Sequence, residues 1–454
     1  MQVDKIQFHL IDSNGKPTGV FDFRVFEYIK NNYSMFVCGC PYIYDHGVFE
    51  PDLQGTKLKK IIRECLFDQF KKSRTINQIY NLIVDADELQ KDIAKVNQYP
   101  KTWVNFQDCM VDSKSMNQIE HSPQFLSINQ VPWKWEDVKK SSEGTEIERF
   151  FSFIFNCTED KEMLLEYAGL CLTKDTSQQK FLILCGVGGT GKSLLISLIE
   201  KAAGVSNVSN VSLQELSRRF STSLLVGKTL NSCADLSVEA LEDTATMKKL
   251  LGEDFIFGEQ KGKDGFMFRN HAKMLFSTNT LPLVTSERTN GFYRRLLILK
   301  MDKQPENPDP ELAEKLEKEL PYFIRLAIEA LHEMYQRGTI IESANSRQAV
   351  AQMRRDSDVV ESWLAERCIV RAELKVERTL AFDDFKEFCE KEERTALTRN
   401  SFFKALRTKN FSEARGKTER YFCGFSVGKV TADNQKSDDF IVVTQEQLKD
   451  LPFD

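Results

Sequence analysis

A chain of 454 residues, 41% hydrophobic and 28% charged, is long enough for about three domains with buried cores. Its net charge of -5 excludes nucleic-acid binding through bulk positive charge, though not through a few lysines focused in a channel. No apolar run approaches the roughly 20 residues of a membrane helix, and the start, MQVDKIQFHLIDSNG, lacks the basic and apolar regions of a signal peptide, so an intracellular chain without a membrane partner is expected.

Residues 1–138 mix strand-like aromatic pieces (MFVCGCPYIYD, KTWVNFQD) with helix-like ones (GTKLKKIIRECLFDQFKK, INQIYNLIVDADELQKDIAK), an α+β pattern. Eleven cysteines without a CxxC pair fit reduced thiols better than a disulfide framework. Cys38 and Cys40 with His46 could be read as metal ligands, but MFVCGCPYIYDHGVFEPD looks like two short strands around a turn, which small buried cysteines suit. Asp85 and Asp87 in VDADEL could mimic a primase's metal-binding pair. They lie in a helix-like stretch, whereas that chemistry needs a strand, further acids and a histidine nearby. A polar, turn-prone KKSSEGTE (139–146) opens a linker and helical lead-in over 139–180.

From 181 to about 301, apolar strands alternate with helices, which predicts a largely parallel α/β sheet. FLILCGVGGTGKSLLISLIE places Gly186, Gly191, Lys192 and Ser193 at the spacing of a phosphate loop between strand and helix. Gly186, Gly188, Gly189, Thr190 and Gly191 let backbone N–H groups converge on an anion at a helix N-terminus. Lys192 would reach the β- and γ-phosphates of ATP, and Ser193 would ligate Mg²⁺. A second acid is needed for the metal, and LLVGKTLNSCADLS offers Asp235 at a strand end, although Asn231 and Ser232 make that strand less apolar than usual. Glu239 and Glu242 are candidate bases, with helix-surface charge the plainer reading.

FIFGEQKGKDGFMFRNHAK reads as a hairpin with Lys261 and Lys263 at its tip, candidate contacts to DNA. AKMLFSTN ends at Asn279, whose amide can contact a γ-phosphate and the attacking water. In TNGFYRRLLIL, Arg294 or Arg295 could reach a neighbouring subunit's nucleotide; ordinary ion pairing is the alternative. A Pro-rich break, QPENPDPEL, precedes a strongly helical ELAEKLEKELPYFIRLAIEALHEMYQRG, closing this domain (181–340). After a break near 354–358, residues 355–430 read as helix, helix and strand hairpin, a winged-helix layout. In it, 400–409 is the recognition helix. Arg399, Lys404, Arg407 and Lys409 are its candidate DNA contacts, with Arg415, Lys417 and Arg420 on the wing; a solvated or protein-binding basic surface is the alternative. A polar tail, 431–454, ends in DLPFD.

In order and spacing, EYAGLCLT…QQKFLILCGVGGTGKS, MKKLLGEDFIFGEQKGKDGFMF, AKMLFSTNTLP and NGFYRRLLI resemble the superfamily 3 helicases of the AAA+ ATPases. The likeness is to the helicase portion of phage and plasmid primase-helicases. The run from YIYDHGVFE through WVNFQDCMVD to HSPQF is similar to the poxvirus-type helicase N-terminal domain. The resemblance implies an α/β AAA+ P-loop core between an α+β N-terminal domain and a C-terminal winged helix. It also implies a homo-hexamer around single-stranded DNA in a bacterial host's cytoplasm, origin duplex and host replication proteins as partners, Asn279 as sensor, and Arg294 or Arg295 acting in trans. Glu253 stands where the family usually carries glycine, and CADLS has one acid where a pair is usual. A combined primase-helicase, or an ATP-gated origin-binding scaffold that recruits a host helicase, are the alternative functions.

Overall fold

Phe181 to Leu184 are apolar in an unbroken run, which suits a strand covered on both faces, and all four are fully buried. The computed structural model describes residues 4–236, 241, 244–262, 264–284, 290–392, 394, 396–416 and 419–428. The described residues form two units, one within 1–282 and 286–349, the other within 283–285 and 350–454.

In the first unit, the Phe181 run is β1 (Phe181–Cys185), followed by the loop and α1 (Lys192–Ala203). β2 (Val208–Ser209), β3 (Leu230–Cys233), β4 (Phe255–Gly258), β5 (Phe266–Arg269), β6 (Lys273–Thr278) and β7 (Leu296–Lys300) follow. Five of these make one parallel sheet in the order β2-β3-β6-β1-β7, while β4 and β5 pair antiparallel as a separate hairpin. The polar Asn231 and Ser232 do not break β3. Asn231 is buried but bonds to the Val211 backbone in both directions, at 2.9 and 3.0 Å, and Ser232 donates to Glu200. Satisfied in this way, buried polar groups cost the strand little.

Helices Thr145–Ile154, Thr158–Cys171 and Leu320–Arg337 cover the sheet. Tyr167 donates its hydroxyl to the Met274 carbonyl of β6 at 2.6 Å, tying the lead-in helix to a central strand. Gly169 permits the close approach of the two longer helices, since a Cβ there would lie 2.4 Å from the Ala327 carbonyl oxygen. The chain before this core is less separate than a boundary at 138 implies. Residues between Phe8 and Leu89 have their own core, but Val104, Phe106, Trp135 and Val138 pack into the same core as Phe151 and Leu164. MFVCGCPYIYDHGVFEP forms three antiparallel strands, one more than its pattern predicts.

The second unit runs α2 (Val359–Arg367), β8 (Cys368–Glu377), α3 (Arg378–Lys391), α4 (Arg399–Thr408), β9 (Ser412–Arg415) and β10 (Arg420–Val427). Its antiparallel sheet has the order β8-β10-β9. Trp363 is fully buried against Phe385, Phe402 and Phe425, and its ring nitrogen donates to Asp384 at 2.6 Å. The first helix and the long strand β8 were not legible in the sequence pattern. Among the described residues, no helix is long and apolar enough to cross a membrane.

Helix Thr145–Ile154 starts after a glycine that cannot cap it. Instead, the Glu319 carboxylate accepts from the backbone N–H groups of Glu146 and Ile147 at 3.2 and 2.8 Å. Glu319→Ala should therefore lower the stability of this unit by about 1 kcal/mol, read as a lower thermal midpoint by circular dichroism. An unchanged midpoint would mean that water replaces the cap at no cost.

Candidate functional site

In a parallel sheet all strand C-termini lie on one edge. Here that edge gathers the loop after β1, Asp235 after β3 and Asn279 after β6, with β6 between the other two. Lys192 is largely buried at the start of α1. Its ammonium donates to the carbonyls of Gly186 at 2.6 Å and Val187 at 2.8 Å and to Asn279 Oδ1 at 3.1 Å. The amide predicted to sense a γ-phosphate thus touches the lysine predicted to bind it.

The loop's glycines divide by role. A Cβ on Gly186 would lie 1.9 Å from the Met301 carbonyl oxygen, and one on Gly191 would lie 2.9 Å from the Phe150 ring. Gly189 and Gly191 have φ of +80° and +92°, a region side chains disfavour. A Cβ on Gly188 would meet nothing within 4 Å, so that part of the loop lines open space. Thr190 is buried and donates to the Val187 carbonyl at 3.2 Å, while the Ser193 side chain is exposed at the helix N-terminus. Phe150, Met301 and Gln304, which donates to the Gly188 carbonyl at 2.6 Å, brace the loop from distant parts of the chain. Sequence reasoning missed all three, because nothing in their local pattern marks them.

Asp235 is exposed with φ +56°, a conformation rare outside glycine, asparagine and aspartate. Leu236 N–H donates to the Ser277 carbonyl at 2.8 Å, holding Asp235 beside the end of β6. A bare loop with an inward lysine, an exposed hydroxyl and an exposed carboxylate is a donor set that fits a phosphate chain with a hard cation. Glu239 and Glu242 lie outside the described residues.

Arg294 and Arg295 precede β7, whose first residue pairs with Phe181, the first residue of β1. They therefore sit at the opposite sheet edge, about 13 Å of strand from this chain's own loop. Arg295 is engaged, donating to the Gly291 carbonyl at 2.6 Å and Gln179 Oε1 at 3.0 Å. Arg294 is exposed, and its carbonyl accepts from Lys180 at 2.5 Å; among the described residues its guanidinium has no hydrogen-bond or ion-pair partner.

The β4–β5 hairpin rises from that same far edge. Lys261 is exposed at its turn beside Gly262 (φ +75°); Lys263 lies outside the described residues. Asn270 pins the root, donating to the carbonyls of Leu250 and Ala272 at 2.9 Å each. Beneath it, burial pushes Lys174 and Lys273 down to about 8, and burial with the nearby lysine charges pushes His271 down to about 4. Lys101 bridges Asp175 at 3.2 Å and Glu253 at 3.0 Å, so Glu253, where glycine was expected, is an ion-pair partner.

In the second unit the four predicted contacts differ. Lys409 is spent on Asp358 and Glu361, at 2.7 Å each, and so points back into its own unit. Arg407 pairs with Glu413 at 2.7 Å, and Arg399 donates to Thr379 at 2.8 Å over the rings of Phe382 and Phe403. Lys404 is exposed and has no side-chain partner among the described residues. Arg415 and Arg420 face each other across the β9–β10 pair, and Lys417 lies outside the described residues. Elsewhere, His46 is exposed and pairs with Asp45 at 2.5 Å. Asp85 caps a helix and Asp87 starts a 3-10 turn, and no cluster of three metal-ligating side chains occurs among the described residues.

Residues 184–295, from the end of β1 to the arginine pair, match the model of a family of unknown function, DUF5906. Over 232 residues the chain is 25% identical to a protein of Acanthamoeba polyphaga mimivirus named "Putative helicase L207/L206". That match takes in 45% of this chain and 24% of the mimivirus protein, so the chain spans about a quarter of that relative. Two structures of the NrS-1 C terminal region share the fold. One matches with a TM-score of 0.50 over 88% of this chain and 98% of the other, the second with 0.51 over 89% and 99%, both at 12% identity. The chain is thus distantly similar in sequence to a viral protein named as a putative helicase, and similar in fold alone to the NrS-1 C terminal region.

The loop's packing gives a direct contrast. Gly186→Ala must displace the Met301 backbone and should cost more than about 2 kcal/mol, whereas Gly188→Ala should stay within roughly 0.5 kcal/mol of wild type. Thermal unfolding of the two variants compares them.

Proposed function

We propose that this chain is an ATP-dependent DNA helicase of superfamily 3 type, acting in replication of a phage, plasmid or genomic island. One observation carries the reading: Lys192 bonds Asn279 across the shared edge of adjacent parallel strands, with Asp235 on the next strand over. The distant similarity to a protein named as a helicase is consistent with it.

On this reading the loop N–H groups and Lys192 bind the phosphates, Lys192 exchanging the Gly186 and Val187 carbonyls for phosphate oxygens. Ser193 and Asp235 hold Mg²⁺, and Asn279 orients the attacking water. Bound ATP supplies the phosphoanhydride, and Mg²⁺ offsets the charge that develops as it breaks. Arg294, at the far edge, cannot serve its own loop and would serve a neighbour's, which calls for a ring of like subunits, a hexamer in the resemblance. Strand β6 runs buried from the hairpin root to Asn279, so a change at the phosphate end reaches the hairpin through a stiff element. Lys261, with Lys263, would hold the phosphates of one strand, and a ring repeats those lysines, so an acidic chain can present a basic pore.

We further propose that the second unit is a winged helix that binds origin duplex. Support comes from its element order and from Arg378, Arg407 and Arg420 around the Glu413 carboxylate, with Arg399 close to Arg378, which leaves net positive charge for an anion. Arg399, Lys404 and Arg407 lie on α4 and would meet the duplex, whereas Lys409 is held by Asp358 and Glu361. Asp85 at a helix C-terminus and Asp87 in a 3-10 turn, rather than on a strand, give no support to a primase.

The test is hydrolysis and strand displacement on forked DNA. Lys192→Ala should abolish both. Arg294→Ala should keep nucleotide binding and lose roughly 10³-fold or more in kcat. An equal mixture of the two inactive variants should regain roughly a quarter of wild-type hydrolysis, because one seam in four then joins an intact loop to an intact arginine. A mixture with no recovery would show that Arg294 does not act across a seam. Hydrolysis without displacement by the wild type would instead favour a scaffold.

A further inference from the structure

The hairpin carries a second feature that its lysines do not use. Along β4 and β5 side chains alternate, so Phe255, Phe257, Met267 and Arg269 share one face, with Phe257 opposite Met267 and Phe255 opposite Arg269. Phe255, Phe257 and Met267 are 52%, 57% and 49% exposed, an unusual amount for two aromatic rings on a four-residue strand. Successive outward pairs lie about 7 Å apart along the strands, enough for a ring to lie on each. The face ends at a cleft of about 190 Å³ under the hairpin root, lined by Phe255, Phe268, Arg269, His271, Asn97 and Val226 among others. Among the described residues no carboxylate lines it. The Arg269 guanidinium stands 4.6 Å above the Phe255 ring at its mouth.

The cleft is smaller than the roughly 300–1,000 Å³ of sites for whole small molecules, so it suits a single planar ring system. Its aromatic walls offer stacking, Arg269 offers a charge for an adjoining phosphate, and His271, kept neutral at physiological pH, can hydrogen-bond without adding charge. We propose that the cleft and the Phe255–Phe257 face form a nucleobase site, in which bases of a single DNA strand stack while Lys261 holds its phosphates. This rests on the function proposed above and adds base stacking to the phosphate contacts. Stacking is sequence-tolerant, since every base has a π-face, and is therefore compatible with a motor that must pass any sequence.

The two kinds of contact respond differently to salt. Phosphate contacts release counterions, so they set the slope of affinity against salt; stacking does not. Fluorescence anisotropy with a labelled oligo-dT strand across a salt series, using the full chain, separates them. Phe255→Leu, which keeps apolar bulk, should weaken binding roughly tenfold at every salt concentration with the slope unchanged. Lys261→Ala should flatten the slope. An abasic strand of the same length should bind the wild type about as weakly as oligo-dT binds the variant. Equal wild-type affinity for abasic and normal strands would overturn the site whether or not the variant folds. A change in the variant's association state by analytical ultracentrifugation, with affinity for the abasic strand undiminished, would assign the face to contact between copies and overturn it as well. A wild type that binds oligo-dT as proposed but fails these comparisons loses only this inference; one that binds no single strand loses the helicase reading with it.

Discussion

The position of one ammonium group organises the first unit. Lys192 is buried, and a buried charge must be met by oriented dipoles or it is too costly to keep. Two loop carbonyls and the Asn279 amide meet it, which fixes the loop against the end of β6. The surroundings enforce that arrangement. Met301 and Phe150 leave room only for glycine at 186 and 191, and Gln304 ties the loop's outer limb. The loop is therefore held by its own packing, which lowers the ordering cost of binding an anion.

The same sheet separates the candidate phosphate site from the candidate grip. Loop, Asp235 and Asn279 lie on one edge, while Arg294 and the hairpin root lie on the other. Strand β6 runs directly from the hairpin root to Asn279 and is buried along its whole length. Its start carries Lys273, whose ammonium meets the carbonyls of Thr173 and His271, so the root is held by a second buried cation. Two lysines, one at each end of the core, thus anchor the strand that joins the two sites.

Much of this was legible in the residues, for identifiable reasons. The glycines of the loop after β1, the hairpin turn between β4 and β5 and the FLILC run are local signals, because backbone conformation and unbroken apolar character are set within a few residues. What could not be read depends on partners far along the chain. The place of β6 between β1 and β3 comes from long-range pairing, so the contact of Asn279 with Lys192 was invisible. Lys409 looked like a DNA contact because its helix is basic, yet Asp358 and Glu361, some fifty positions earlier, claim it. Trp135 and Val138 precede a linker-like KKSSEGTE but are buried in the core that follows, so composition placed a boundary where packing has none. Strand β8 has its side chains largely exposed or half-buried, which leaves little alternation to read.

The central claim is that events at Asn279 reach the hairpin through β6. Hydrogen exchange on the backbone amides of residues 266–272 measures this directly, with and without a slowly hydrolysed ATP analogue. The account predicts that the analogue changes protection there in the wild type, and that Asn279→Ala still binds the analogue but shows no such change. Protection that stays the same in the wild type, or that changes equally in both proteins, would contradict it.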